Sequence, residues 1–181
     1  MVKAVQHRSK ISQNIKRGGL AITTFSLGWL LTSCAMIITT KYEATALTTY
    51  TWQVEYVSNP DKPIRNRREK FASTSLLNRN GKRPDDAVTG PDDQGLWWPA
   101  IPPRPTVDEI EAEKRSQDQV GSPKLIKSVD YSITYEDEGK EFTLPTNYSV
   151  YRQVVKAYPN QTPLELTIAA DNRFVTKADP R

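Results

Sequence analysis

The residue types that carry most enzyme chemistry are scarce in this chain and poorly placed for it. There is one cysteine, Cys34, and one histidine, His7. Cys34 lies in an uncharged run and His7 in a basic leader, so no Ser-His-Asp or Cys-His arrangement and no multi-cysteine zinc site can be assembled downstream. The acidic pairs Asp85-Asp86 and Asp92-Asp93 and the triplet Glu136-Asp137-Glu138 fall in turn-like sequence. None has the alternating oxygen ligands and obligatory glycine of a calcium loop. Gly-rich phosphate loops are absent, and no spacing argues for a Ser-Lys dyad or a working carboxylate pair. The chain reads as non-enzymatic, with no cofactor and no metal.

What remains is chemistry of contact. Gly95-Leu96-Trp97-Trp98-Pro99-Ala100-Ile101-Pro102-Pro103-Arg104-Pro105 joins two tryptophans to a proline series with PxxP spacing at 99–102 and 102–105. Prolines hold the backbone near polyproline II, and tryptophans bring large apolar area at low entropic cost. Exposed tryptophans in a linker are a liability. Trp97, Trp98, Pro99, Pro102, Pro103, Arg104 and Pro105 are therefore expected to dock, on this chain's own domain or on a protein partner. A second contact class is cationic: Arg65, Arg67, Arg68 and Lys70 could meet anionic headgroups, each contributing on the order of 1 kcal/mol near a membrane surface.

The positioning elements start with the N-terminus. Leu20 to Thr40 is an uncharged stretch, LAITTFSLGWLLTSCAMIITT, following Lys16-Arg17 and preceding Lys41. Its 21 residues would span roughly 30 Å as a helix, the thickness of a hydrocarbon core. Residues 1–40 carry Lys3, Arg8, Lys10, Lys16 and Arg17 with no acid, whereas the remainder holds 20 basic and 21 acidic residues. The basic pI near 9.1 thus belongs to the leader. It reads as topology, N-terminus cytoplasmic and C-terminal part periplasmic or lumenal, rather than as a nucleic-acid surface.

Lys16-Arg17, the apolar block Leu20 to Leu30, and then Leu31-Thr32-Ser33-Cys34 resemble a bacterial lipoprotein signal with its lipobox. That resemblance implies a Cys34 thiol alkylated by diacylglycerol and a mature chain starting there. The residues after Cys34, Ala-Met-Ile-Ile, stay apolar where lipoproteins usually turn polar, and a retained signal-anchor helix is the competing expectation. Either route leaves the protein on a membrane.

Downstream, the predicted layout is α+β: an N-terminal membrane helix, a long Pro-rich linker, and a small C-terminal antiparallel sheet with one packed helix. Residues 1–19 form the leader and 20–40 the membrane or signal segment. Residues 44–57 alternate as a strand, with Ala46, Thr48, Tyr50, Trp52, Val54 and Tyr56 on one side. Residues 58–105, rich in Pro and Gly, read as disordered linker. Thr106-Val-Asp-Glu109 is a capping box opening a short acidic helix over 106–118. Residues 124–178 read as hairpin, helix capped by Asn147, and hairpin, with Tyr148, Tyr151 and Tyr158 on one helical stripe and with the strand at 46–56 available to complete the sheet. Two functions follow as expectations. One is a membrane-tethered interaction or assembly module with a protein partner in a membrane complex. The other is an envelope lipoprotein that binds a small ligand through the tyrosine-rich face.

Overall fold

The computed structural model of the chain describes residues 35–58 and 66–181. Its strands are Ala35–Thr39 (β1), Tyr42–Val57 (β2), Asn66–Arg79 (β3), Gln119–Val120 (β4), Lys124–Asp137 (β5), Lys140–Thr146 (β6), Leu164–Ile168 (β7) and Val175–Pro180 (β8). The helices are Val107–Ala112 (α1) and Tyr148–Ala157 (α2), the latter tightening into a 3₁₀ turn, Tyr158–Asn160. The strands make one mixed sheet in the order β1-β7-β8-β6-β5-β2-β3, with β4 beside the end of β2. The predicted antiparallel character holds for every pairing except β6 with β8, which meet in parallel at Thr146 and Val175.

β2 organises the domain because its alternation is clean over 16 residues. Tyr42, Ala44, Ala46, Thr48, Tyr50, Val54 and Tyr56 are buried on one face, as period two requires. Antiparallel partners hold both its edges: β5 from Tyr42↔Tyr135 to Gln53↔Lys124, and β3 from Thr45↔Arg79 to Val57↔Asn66. At Trp52 the β3 register slips, so that Phe71 and Ala72 together oppose one residue. This bulge moves the inward positions of β3 from Thr74, Leu76 and Asn78 to Arg67 and Glu69, keeping a single face turned to the core.

The main core joins that face to α2 and to β7 and β8 through Ile133, Val150, Tyr151, Val154, Leu164, Leu166, Ile168 and Val175. Asn147 caps α2, its side chain accepting from the Val150 amide, and the buried stripe is Val150, Tyr151, Val154 and Ala157. A smaller cluster packs Val54 and Tyr56 under Ile110 of α1. Thr106 and Glu109 form the predicted capping box there, although α1 ends at Ala112.

Three expectations change. First, a helix over 20–40 does not describe residues 35–39. They form an edge strand paired with β7 from Ala35↔Ile168 to Thr39↔Leu164, because β-branched Ile37 and Thr39 find a buried apolar strand to cover. Leu20 to Cys34 lies outside the described residues. Secondly, the supposed linker contains β3, and its second half lies ordered across the sheet. Proline and glycine content signalled chain without a core of its own, but β2 supplies the missing partner edge. Thirdly, the sheet over 124–178 extends beyond its own residues, β5 pairing with β2 over twelve positions. Pro145 sits within β6.

Candidate functional site

The Trp–Pro segment docks on its own domain. Asn78, 1% exposed on β3, reads the backbone of Trp97 at both ends: its Oδ1 accepts from the Trp97 amide at 2.8 Å and its Nδ2 donates to the Trp97 carbonyl at 3.0 Å. Thr48 Oγ1 donates to the same carbonyl at 2.8 Å. Trp98 is buried, its ring 5.0 Å from that of Tyr50, its Nε1 donating to Asp92 Oδ2 at 2.8 Å. The Lys127 ammonium lies 5.0 Å from the Trp98 ring and 5.4 Å from the Tyr50 ring. Trp97 is half-buried beneath the Arg83 guanidinium, 5.0 Å away.

The loop that presents these tryptophans is held by Asp92, whose Oδ1 accepts from the amides of Gln94 and Leu96 at 2.9 Å. Gly90 makes its return possible: with φ at +125°, a Cβ there would stand 2.7 Å from the Leu96 carbonyl oxygen. Beyond Trp98, Pro99, Pro102 and Pro105 are buried while Ile101, Pro103 and Arg104 face outward. That three-residue period is the repeat of a polyproline II helix. The PxxP spacing is thus the face with which the segment lies on β2 and β3, where Trp52 Nε1 donates to the Pro102 carbonyl at 2.9 Å.

The four cations do not form one patch. Arg65 lies outside the described residues. Arg67 is turned to the covered face, where it meets Asp118 Oδ2 at 3.0 Å, pairs with Glu69 and lies 4.4 Å from the Tyr56 ring. Arg68 and Lys70 occupy the opposite face, Arg68 3.7 Å from Glu55. They stand opposite Gln53 and Glu55, roughly 35–45 Å along β2 from Tyr42 at about 3.3 Å per residue. Tyr42 pairs with Tyr135, which lines a trough with Ala35 and Ile37 of β1, so the cations are at the end remote from β1.

Across β3, β2 and β5 no described residue covers that opposite face. Its cross-strand rows read Leu77–Leu47–Asp130, Ser75–Thr49–Ser128 and Ser73–Thr51–Ile126. Hydroxyl pairs link them, Thr49 with Ser75 at 2.9 Å and Thr51 with Ser73 at 2.7 Å. Leu47, Leu77 and Ile126 are 37–40% exposed within this hydroxylic field. Reading β2 as one buried face and one polar face already contains this surface; its lateral extent required the pairing of β3, which the sequence concealed.

The tyrosines diverge. Tyr151 is in the core, its hydroxyl buried without a hydrogen-bond partner of good geometry. Tyr148 packs on Tyr131 at 5.8 Å, and Tyr158 lines a shallow surface trough with Arg79, Lys82 and Arg83. They do not share a concavity. Burial pushes the Tyr131 hydroxyl up to about 12, helped by neighbouring Tyr148, Tyr151 and Asp92. Among the described residues no group of His, Cys, Asp and Glu side chains is arranged to hold a metal ion. No helix among them is long and apolar enough to cross a membrane. Cys34, the lipidation candidate, lies outside the described residues.

The sequence matches no protein-family model, and comparison with curated proteins and with solved structures gives no match.

Proposed function

We propose that this protein is a membrane-tethered, non-enzymatic interaction module whose folded part faces the exported side and docks on a protein of a membrane complex. The observation that carries the reading is the face of β3, β2 and β5 that no described residue covers, a field of paired hydroxyls around Leu47, Leu77 and Ile126 with Asp130 as its one charged member in these rows. Such a surface suits flat protein contact, where modest apolar area is framed by satisfied polar groups. With Trp98 and three prolines committed to intramolecular packing, this face takes over the role first assigned to the Trp–Pro segment.

The tether is the uncharged run. Between Arg17 and Lys41 there is no charge, and β1 begins at Ala35, which leaves Gly18 to Cys34 as the anchoring part. Those 17 residues are at the short limit for a spanning helix. A diacylglyceryl group on Cys34 needs no such length. Intact mass of the mature protein separates the two routes: a chain starting at Met1 rules out lipidation, and one starting at a lipid-bearing Cys34 rules out the retained helix.

Co-purification from membranes through a C-terminal tag tests the docking reading. Thr51→Lys with Leu77→Glu places charges on the open face without touching the core. The expected outcome is loss of a partner that wild type and a Val88→Glu control both retain. An unchanged partner set, or recovery of the protein from the soluble fraction, would sink the reading.

A further inference from the structure

β1 is an edge strand with apolar residues on both sides. Met36 is 69% and Ile38 55% exposed on its outer side. On the inner side Ala35 and Ile37, with Phe142, Leu144 and Ile168, line an open trough of about 330 Å³ that Asp137 and Asn172 also border, and Phe142 is 41% exposed. Three of the large exposed apolar side chains therefore gather around one five-residue strand. The neighbouring outward positions are polar: Met36 stands beside Thr167 and Ile38 beside Glu165, and Glu165 is already paired with Arg181. The apolar character is confined to the rim.

This rim is where the uncharged chain arrives. Ala35 directly follows Cys34, and the run without charge continues through β1 to Thr40. At about 3.3 Å per residue, Met36 is roughly 7 Å and Ile38 roughly 13 Å of chain from Cys34. The headgroup layer on each side of a bilayer is about 5–8 Å thick. A chain that leaves the hydrocarbon at residue 34 thus keeps Met36 within that layer, and Ile38 as well if the strand lies along the surface. Exposed methionine and isoleucine on an edge that no described strand pairs invite aggregation in water and are satisfied in an interface.

Resting on the tether proposed above, we infer that the β1 rim, with Met36, Ile38 and Phe142 as its contacts, lies in the lipid interface and fixes the domain's orientation on the bilayer. The occupant of this edge is lipid, not a second copy and not the partner of the open face. The Arg68–Lys70 end of the sheet then stands away from the membrane, and its cations do not serve as headgroup contacts.

The test uses the full chain reconstituted in vesicles of phosphatidylethanolamine and phosphatidylglycerol, with and without lipids brominated near the headgroup end of their acyl chains. Ile38→Trp and Phe142→Trp are read against wild type and against Val88→Trp, an exposed site on another element. Flotation of the vesicles reports the tether; quenching of the added tryptophan reports the rim. The expected result is flotation of all forms, with the added fluorescence at 38 and 142 quenched at least about twofold and that at 88 unchanged. Flotation without quenching at 38 and 142 overturns the rim contact and leaves the tether standing. Failure to float overturns both. Cross-linking between two copies through position 38, with no quenching, assigns the edge to self-association and also overturns the proposal.

Discussion

Asn78 holds Trp97 as a neighbouring strand would, accepting from its amide and donating to its carbonyl, while the same Nδ2 reaches the Ala46 carbonyl at 3.2 Å. One side chain therefore ties β3, β2 and the Trp–Pro segment at a point closed to water. Asn78→Leu keeps the volume but leaves the Trp97 amide without its acceptor and removes one donor each from the Trp97 and Ala46 carbonyls, with Thr48 still bonding the Trp97 carbonyl. Each buried unsatisfied group costs about 1–3 kcal/mol, so a loss of about 3 kcal/mol is expected in urea unfolding of the full chain in detergent. Hydrogen exchange will localise the damage: the amides of Trp97 and Trp98 lose protection first, and those of β7 keep it.

The two tryptophans part company on truncation. Trp98→Ala empties a buried site against Tyr50 and leaves Asp92 Oδ2 without its indole donor; about 3–5 kcal/mol is expected from the cavity term. Trp97→Ala removes a half-buried ring and its Arg83 contact but spares the backbone bonds to Asn78 and Thr48, for about 1 kcal/mol. Equal shifts in denaturation midpoint would contradict the intramolecular docking of Trp98.

Acid weakens the fold through Asp118. Its carboxylate, 1% exposed, accepts from Ser58 Oγ, the Arg115 amide and Arg67. The Ser58 bond leads in holding its pKa below the ordinary value; burial opposes, and the Arg115 amide and Arg67 add to the lowering. Glu109 is held low in the same way by Thr106. A depressed folded pKa means stability is fully present above the unfolded value of about 4 and is lost as pH falls through the folded pKa. Unfolding midpoints should drop below about pH 4, and Asp118→Asn should flatten that limb while lowering the plateau.

At the alkaline end the sign reverses. Tyr131, held at about 12, and Tyr42, Tyr56, Tyr135 and Tyr151, all raised chiefly by burial, keep their protons longer folded than unfolded. Their contribution is complete below about pH 10 and is lost above it as the unfolded chain ionises. Spectrophotometric titration should show these five ionising late, and Tyr131→Phe should remove one of them.

What could be read in the sequence was whatever depends on neighbours close along the chain. The alternation of 44–57, the capping box at Thr106 and the Asn147 cap all reappear, because each is decided within a few residues. β3 stayed hidden because Asn66–Arg79 has its inward positions at Arg67 and Glu69 and then, past the bulge, at Thr74, Leu76 and Asn78. A strand whose inward residues are polar at four of five positions and change parity midway shows no periodicity. Asn78 gave no signal, since its value lies in a backbone 19 residues away. The Trp–Pro segment was legible as something that must dock, and even its period of three was visible, but its receptor was the strand the composition hid. The uncharged run illustrates the converse: hydropathy registers apolar length and is blind to Ile37 and Thr39 having a strand partner more than 120 residues away.

β1 has a mechanical meaning as well. The chain turns from β1 into β2 within two residues, and the turn is clasped by Thr39 Oγ1, which donates to the Lys41 carbonyl and accepts from the Lys41 amide. Any pull transmitted through residue 34 enters at Ala35 and is shared with β7 across five antiparallel pairs before it reaches the long central strand. The load also passes into the C-terminal strands, which join β6 through a single parallel contact at Thr146. A pull entering at residue 34 would therefore be taken up as strain in the β1–β7–β8 corner, leaving the hydroxyl-lined face of β2 undisturbed.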